Sequence, residues 1–254
     1  MDLMLNGKTA AVAGGTRGIG RAIAQALVAE GCNVSLCARG DKGVAETVAD
    51  LAQTGAAKVH GAALDAADGA AQAAWINDTA TRFGGLDILV ANTSALSLGT
   101  DETAWTDSFH VDMMASFYGA EAAIPHLKAS DAGAIVFISS VSALHTPAGP
   151  RAYGAMKAAV LNYAKGLART LAPDGVRVNS VSPGNIYFEG GVWGRVAAEE
   201  PVRFERQIAA NPMGRMGRPE EVARAVVFLA SPAASYISGT NLIVDGALTA
   251  GVQY

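Results

Sequence analysis

The stretch VAGGTRGIGRAIAQAL, Val12 to Leu27, decides how this chain is read. A short apolar run breaks into glycines, and an Ala-rich amphipathic run starts before the glycines are finished. Gly14, Gly18 and Gly20 give the spacing G-x-x-x-G-x-G, with no side chain where the chain turns or where helix meets strand. A helix starting there offers N–H groups that lack intrahelical acceptors, together with the positive end of its dipole. That is a seat for a pyrophosphate. Three glycines also fit a plain tight turn, but the strand–turn–helix setting is the one that phosphate binding requires.

Outward from this turn, short apolar runs alternate with longer amphipathic ones. TAAVAG (9–14), NVSLCA (33–38), KVHGAAL (58–64), LDILVA (86–91), AIVFIS (134–139), VRVNSVS (176–182) and NLIVD (241–245) read as strands. The segments 18–30, 41–54, 67–83, 103–128, 151–172 and 219–230 have helical apolar spacing. PDGV (173–176) puts Pro and Gly where a helix should stop. Strands apolar on both faces and separated by helices imply an α/β chain with a parallel sheet covered on two sides. One segment breaks the rhythm, 183–218, which is too long for a tight connection. It reads as a lid or substrate-binding excursion, centred on about 185–215, in an otherwise single domain spanning 1–254.

Composition narrows the function. Half of the 254 residues are hydrophobic, enough for one large core. A net charge of −4 argues against a nucleic-acid partner, which asks for a basic face. No apolar run approaches the roughly 18 residues of a membrane span. The N-terminal stretch, with an acid first and no basic region, does not read as a signal peptide. Cys32 and Cys37 match no redox or zinc spacing and read as buried thiols, which points to a reducing, cytoplasmic setting. The four histidines, at 60, 110, 126 and 145, are scattered, so no metal is expected. Ser140 lacks a G-x-S-x-G context, which disfavours a hydrolase.

Two arginines bear on which dinucleotide would bind. Arg17 lies inside the glycine turn and Arg39 directly follows the second strand, where an acid would bond the ribose 2′-hydroxyl of NAD. Asp41, two residues further on, is less naturally placed. An arginine at that point suits a 2′-phosphate, favouring NADP(H) with NAD(H) possible. The alternative makes both arginines ordinary surface charges.

AYGAMK, Ala152 to Lys157, opens the helical run at 151–172 and sets a tyrosine four residues before a lysine, on one helical face. A free phenol, with a pKa of about 10, is a poor base at neutral pH, and a nearby ammonium favours its phenolate. With the glycine turn, ISS ending a strand, Y-x-x-x-K and SPGNI in hand, the chain resembles the short-chain dehydrogenase/reductase family over nearly its whole length. The resemblance implies one doubly wound, Rossmann-type domain with a seven-stranded parallel sheet. It also implies nicotinamide cofactors, alcohol–carbonyl interconversion on a small-molecule substrate, and a homotetramer or dimer formed through 103–128 and 151–172. By position, Ser140 orients the substrate oxygen, Tyr153 exchanges its proton, and Lys157 anchors the nicotinamide ribose. Cofactor contacts fall, by the same resemblance, at Gly14, Thr16, Arg17, Gly18, Ile19, Gly20, Arg39, Leu64, Asp65, Asn92, Gly184 and Ile186, besides Tyr153 and Lys157.

Four positions depart from the family pattern. The threonine opening the glycine motif is Ala13, NNAG reads ANTS (Ala91 to Ser94), the threonine past PG is Phe188, and the proton-relay asparagine is Asp112. An amide donates and accepts, whereas an ionised carboxylate only accepts, so Asp112 either holds the relay in altered form or weakens it. Ser94, Leu144, His145, Tyr187, Phe188 and Trp193 are candidates for the pocket wall and suggest a bulky or apolar carbonyl compound. Two rivals stand beside a ketone/secondary-alcohol oxidoreductase. One is a 3-oxoacyl-thioester reductase, and the other a dinucleotide-binding sensor without catalysis.

Overall fold

In a computed structural model describing residues 1–55, 57–146 and 149–252, the chain alternates strands and helices. They run β1 (Thr9–Ala13), α1 (Gly18–Ala29), β2 (Asn33–Ala38), α2 (Asp41–Ala52), β3 (Val59–Ala63), α3 (Gly69–Phe83) and β4 (Ile88–Ala91). There follow α4 (Glu102–Ser108), a π-helical turn (Phe109–Met114), α5 (Ala115–Lys128), β5 (Ala134–Ile138), α6 (Ala152–Leu171) and β6 (Arg177–Pro183). The last elements are α7 (Val192–Glu199), α8 (Pro201–Ala209), α9 (Pro219–Ala230) and β7 (Asn241–Val244).

The strands form one parallel seven-stranded sheet in the order β3-β2-β1-β4-β5-β6-β7, as the apolar runs imply. Residues alternate between its faces. Val12, Val34, Leu36, Val90 and Val136 meet Ile23, Leu27, Val222 and Val226 of α1 and α9 on one side. Ala11, Leu89, Ile135 and Phe137 meet Trp75, Leu127 and Val160 of α3, α5 and α6 on the other. The strand order reverses between β1 and β4. In doubly wound sheets the crevice beyond the carboxyl ends of the strands at such a reversal is where ligands bind.

Local chemistry sets several boundaries. The Asp68 side chain caps α3 by accepting from Ala70 N–H and Ala71 N–H, and Gly84, left-handed at φ 81°, ends that helix. After α6, a 3₁₀ turn over Ala172–Asp174 leads to left-handed Gly175 (φ 76°), the stop that PDGV implies. Arg177, buried at the start of β6, donates to the carbonyls of Leu229 (2.6 Å), Ala230 (2.9 Å), Ser231 (3.0 Å) and Ala234 (3.3 Å). It satisfies the carbonyls that the end of α9 leaves open.

One expectation needs correction. The single helix expected over 103–128 is interrupted: α4 passes into the π turn, where Ala115 N–H bonds the carbonyl of His110 five residues back, and only then into α5. The 183–218 excursion carries two short helices, α7 and α8, the second begun by Pro201 at its first position.

Candidate active site

The glycine turn joins β1 to α1 at the carboxyl edge of the sheet. Gly14 and Gly18 take left-handed backbone angles of φ 70° and 52°. Gly20 has no room for a side chain, since a Cβ there would stand 2.0 Å from Gly14 O and 2.4 Å from Asn92 Nδ2. Asn92, just past β4, donates from Nδ2 to Gly14 O (3.1 Å) and Ala13 O (3.3 Å), tying the two central strand ends together.

At the end of β5, Ser140 Oγ accepts from Ser142 N–H (3.0 Å), which leaves its own O–H free to donate. Helix α6 is fastened to the same strand end. Ser139 Oγ donates to Lys157 O (3.0 Å) and Lys157 Nζ donates to Ile138 O (3.0 Å). Gly154 lets the first turn of α6 close on the Ser140–Ala143 turn, because a Cβ there would meet Ser142 O at 2.7 Å. Lys157 Nζ lies 5.8 Å from the centroid of the Tyr153 ring. Among the described residues the Tyr153 hydroxyl has no hydrogen-bond partner, and the residue lines the central cavity.

Asp112 lies within the π turn, wholly buried, with Oδ1 3.1 Å from Lys157 Nζ, whose side chain is 3% exposed. The contact is an ion pair whose geometry misses hydrogen-bond alignment. Oδ2 accepts weakly from Ala95 N–H (3.4 Å), and the Asp112 carbonyl accepts from Ser116 Oγ (2.8 Å).

A cavity of about 990 Å³ runs along this edge. Its walls include Gly14, Thr16, Arg17, Ile19, Gly20, Arg39, Leu64, Asp65, Asn92, Gly184 and Ile186 of the expected cofactor contacts, and Ser140, Tyr153 and Lys157. Gly18 is not itself in the wall, because the Phe188 ring covers it: a Cβ on Gly18 would sit 2.5 Å from Phe188 Cζ, and one on Gly191 2.7 Å. Asp112 stands behind Lys157 rather than on the wall. Among the pocket candidates, Ser94, Phe188 and Trp193 line the cavity, and Leu144, His145 and Tyr187 do not. Leu144 and His145 are exposed on the loop after the Ser140 turn, and Tyr187 packs its ring on Phe204 at 5.7 Å.

Several lining residues escape a reading by sequence alone. Leu96 and Leu98 form an apolar lip, and Asp107, His110 and Asn185 contribute polar groups. Asn185 sits inside SPGNI, so the motif could have flagged it. Asp107 and His110 depend on a helix face that the unforeseen π turn resets. The two cysteines are buried, with burial pushing each thiol up to about 12.

A phosphate-binding turn at the switch point, beside a tyrosine–lysine pair and a free serine hydroxyl, defines a dinucleotide-linked oxidoreductase site. Comparison with known proteins agrees. The sequence model described as Enoyl-(Acyl carrier protein) reductase matches residues 13–249. Isoepoxydon dehydrogenase patN of Penicillium expansum is 37% identical, over 98% of this chain and 98% of that protein. A 3-alpha-(or 20-beta)-hydroxysteroid dehydrogenase of Mycobacterium bovis is 35% identical, over 100% of this chain and 94% of that one. A solved short-chain dehydrogenase/reductase variant of Serratia marcescens superposes with a TM-score of 0.87 at 31% identity, covering 97% of this chain and 99% of that chain. The chain belongs to the short-chain dehydrogenase/reductase family, and is an oxidoreductase acting on alcohol and carbonyl groups with a nicotinamide dinucleotide.

The residues present fit that cofactor. The Gly14–Gly20 turn lines the cavity with backbone, and among the described residues the Asn185 amide nitrogen is buried at the wall without a partner, a donor awaiting an acceptor. No helix is long and apolar enough to cross a membrane, and no group of metal-ligating side chains gathers among the described residues.

Proposed function

We propose that this chain is an NADP(H)-dependent reductase of ketones or dehydrogenase of secondary alcohols, with Tyr153 as its proton donor and acceptor. The observation that carries the reading is the Tyr153 hydroxyl, on the cavity wall and unpartnered among the described residues, with the Lys157 ammonium fixed on the same face of α6. The nicotinamide, when bound, supplies or accepts the hydride. The protein's share is orientation and a proton. Ser140, whose Oγ accepts from Ser142 N–H and keeps its O–H free, donates to the substrate oxygen, and Tyr153 gives that oxygen its proton in reduction and takes it back in oxidation. The buried Asp112 carboxylate supplies the counter-charge of the Lys157 ammonium.

Support for NADP(H) comes from Arg17 and Arg39, both on the cavity wall and neither in an ion pair among the described residues. The same reading takes the segment from Asn185 through α8 as a lid. Its start is zipped to Gly217 by Tyr187 N–H to Gly217 O and Gly217 N–H to Asn185 O, both 2.9 Å. It takes the stretch from α4 through α5, together with α6, as the face through which copies associate. Two buried unbonded thiols suit a reducing, cytoplasmic setting.

The test is oxidation of NADPH against NADH across aryl ketones, cyclic ketones, sugars and a 3-oxoacyl thioester. Turnover with NADPH is expected. Turnover with NADH alone would discard the arginine argument and keep the enzyme. Tyr153→Phe should lose turnover and still bind cofactor, whereas a sensor would behave unchanged.

A further inference from the structure

Gln72 is a buried amide in the layer where α3 packs on α5, and it is 1% exposed. Both protons of its nitrogen are used: Nε2 donates to Ala66 O at 2.6 Å and to Ala115 O at 2.7 Å. Two carbonyls can be met only by the donor end of the amide, which fixes its orientation. The other end, Oε1, is buried without a partner among the described residues. It faces Gly119 of α5, where a Cβ would stand 2.9 Å away. An apolar side chain of the same length would fill this space and bury no orphan acceptor. What the amide adds over such a side chain is the tie between two segments.

Both segments border the cavity. Ala66 belongs to the turn after β3, where Leu64, Asp65, Ala66 and Ala67 form part of the wall. That turn is closed locally by Ala67 N–H to Asp65 Oδ1 and Asp68 N–H to Asp65 O, both 3.0 Å. Among the described residues no donor besides Gln72 reaches the Ala66 carbonyl. Ala115 closes the π turn through its N–H to His110 O, and that turn is held from within by the Asp112–Lys157 pair. Strand order sets β2 and β3, with Arg39 and Asp65 just past their ends, across the β1/β4 reversal from β5, which leads to Ser140. We infer that Gln72 is a positioning residue for the dinucleotide. It holds the Asp65–Ala67 wall in place for the adenosine half of the cofactor, with the π turn as its anchor. It acts through the Ala66 carbonyl and touches no bound group itself. The inference rests on the dinucleotide reading above.

Two variants reach the tie from opposite sides. Gln72→Met keeps the length and removes the donor. Gly119→Ala leaves Gln72 in place, pushes on Oε1, and adds a better helix former inside α5. Each is compared with the unsubstituted protein by titration with adenosine 2′,5′-bisphosphate, by thermal melting, and by turnover of a ketone with NADPH. Gln72→Met is expected to bind the bisphosphate about threefold to tenfold more weakly, the worth of a neutral hydrogen bond. Its KM for NADPH should rise in proportion, with kcat at saturating cofactor within about twofold of the original. Gly119→Ala should weaken the bisphosphate in the same direction without a comparable fall in melting midpoint, a pattern that a purely structural role would not give. Should Gln72→Met not fold, Gly119→Ala decides alone. Nucleotide affinity untouched by the substitutions, or kcat falling as steeply as affinity, would overturn the inference. An unsubstituted protein that binds no adenosine bisphosphate and no NADPH would overturn it together with the dinucleotide reading. Nucleotide binding that responds as expected in a protein that reduces no ketone would overturn the catalytic reading and leave this one standing.

Discussion

Removing the Lys157 ammonium is the sharpest probe of the site's energetics. Asp112 is wholly buried, Lys157 is 3% exposed, and their charged atoms lie 3.1 Å apart. In Lys157→Met the carboxylate keeps only the 3.4 Å contact with Ala95 N–H, and the Ile138 carbonyl loses its donor. Breaking a buried pair from one side leaves an uncompensated charge and costs about 3–5 kcal/mol. That is a large share of the roughly 5–15 kcal/mol that holds a typical domain folded. At about 2–4 °C per kcal/mol for a chain of this size, the melting midpoint should fall by about 6–20 °C. Asp112→Asn removes the charge and keeps the shape, so the double variant Asp112→Asn, Lys157→Met should be more stable than the two single losses predict, by about 2 kcal/mol. Urea unfolding of all four proteins closes the cycle. Single losses that simply add, to within about 0.5 kcal/mol, would refute a coupled pair. Asp112→Asn should keep at least comparable turnover, and its abolition in a folded protein would show that the carboxylate itself takes part in the proton path.

Other sites make separate claims. Gly20→Ala forces a methyl against the Gly14 carbonyl at 2.0 Å, a backbone atom that cannot swing away, so a loss of about 2–3 kcal/mol is expected. The same variant should weaken cofactor binding at least about tenfold, read by fluorescence titration, whereas Gly43→Ala, with open space around it on α2, should stabilise by about 0.5–1 kcal/mol. Arg177→Met strips three carbonyls at the end of α9 and one in the 3₁₀ turn after it of their donor and should cost about 3–5 kcal/mol in urea unfolding. Burial, followed by the Arg82 charge, holds the His60 pKa below its ordinary 6.5, against an opposing pull from Asp78. The unfolded chain therefore takes up a proton that the folded one resists, and stability should fall as pH drops through 6.5 toward the depressed folded value. In His60→Gln that acid-side slope should flatten, and an unchanged slope would place the linkage elsewhere.

The elements that could be read in advance are those whose physics is local or periodic. β4 and β5 are buried on both faces and so appear as unbroken apolar runs, and Gly14 and Gly20 mark a turn because their positions forbid a side chain. FHVDMM, Phe109 to Met114, hides its π turn because every residue in it also suits an α-helix, and nothing in the composition announces one extra residue per turn. VWGRVAAE and PVRFERQIA are short and interrupted by Gly and Pro, so their periodicity is lost in the long 183–218 segment. Side-chain direction in loops was the least legible. Tyr187 and Phe188 are neighbours, yet one packs on Phe204 and the other reaches across to Gly18, a choice made by contacts with α8 and α1 that no local pattern encodes.

The π turn also links the buried ion pair to the cavity wall. In a straight α-helix, at about 100° per residue, positions five apart diverge by about 140°. Asp107 and Asp112 are five apart, and a regular helix that faced one toward the cavity would turn the other away from Lys157. The Ala115 N–H to His110 carbonyl bond spreads one turn over an extra residue and brings such positions back toward one side. Asp112 can then stand behind Lys157 while Asp107 and His110 line the cavity. The departure from regular helix is held in place by what it achieves: Ser116 Oγ caps the Asp112 carbonyl at 2.8 Å, and the buried ion pair fixes the inward side. The carboxylate that pairs with Lys157 and two residues of the cavity wall therefore share one stretch of chain, so changes that straighten it should disturb the ion pair and the wall together.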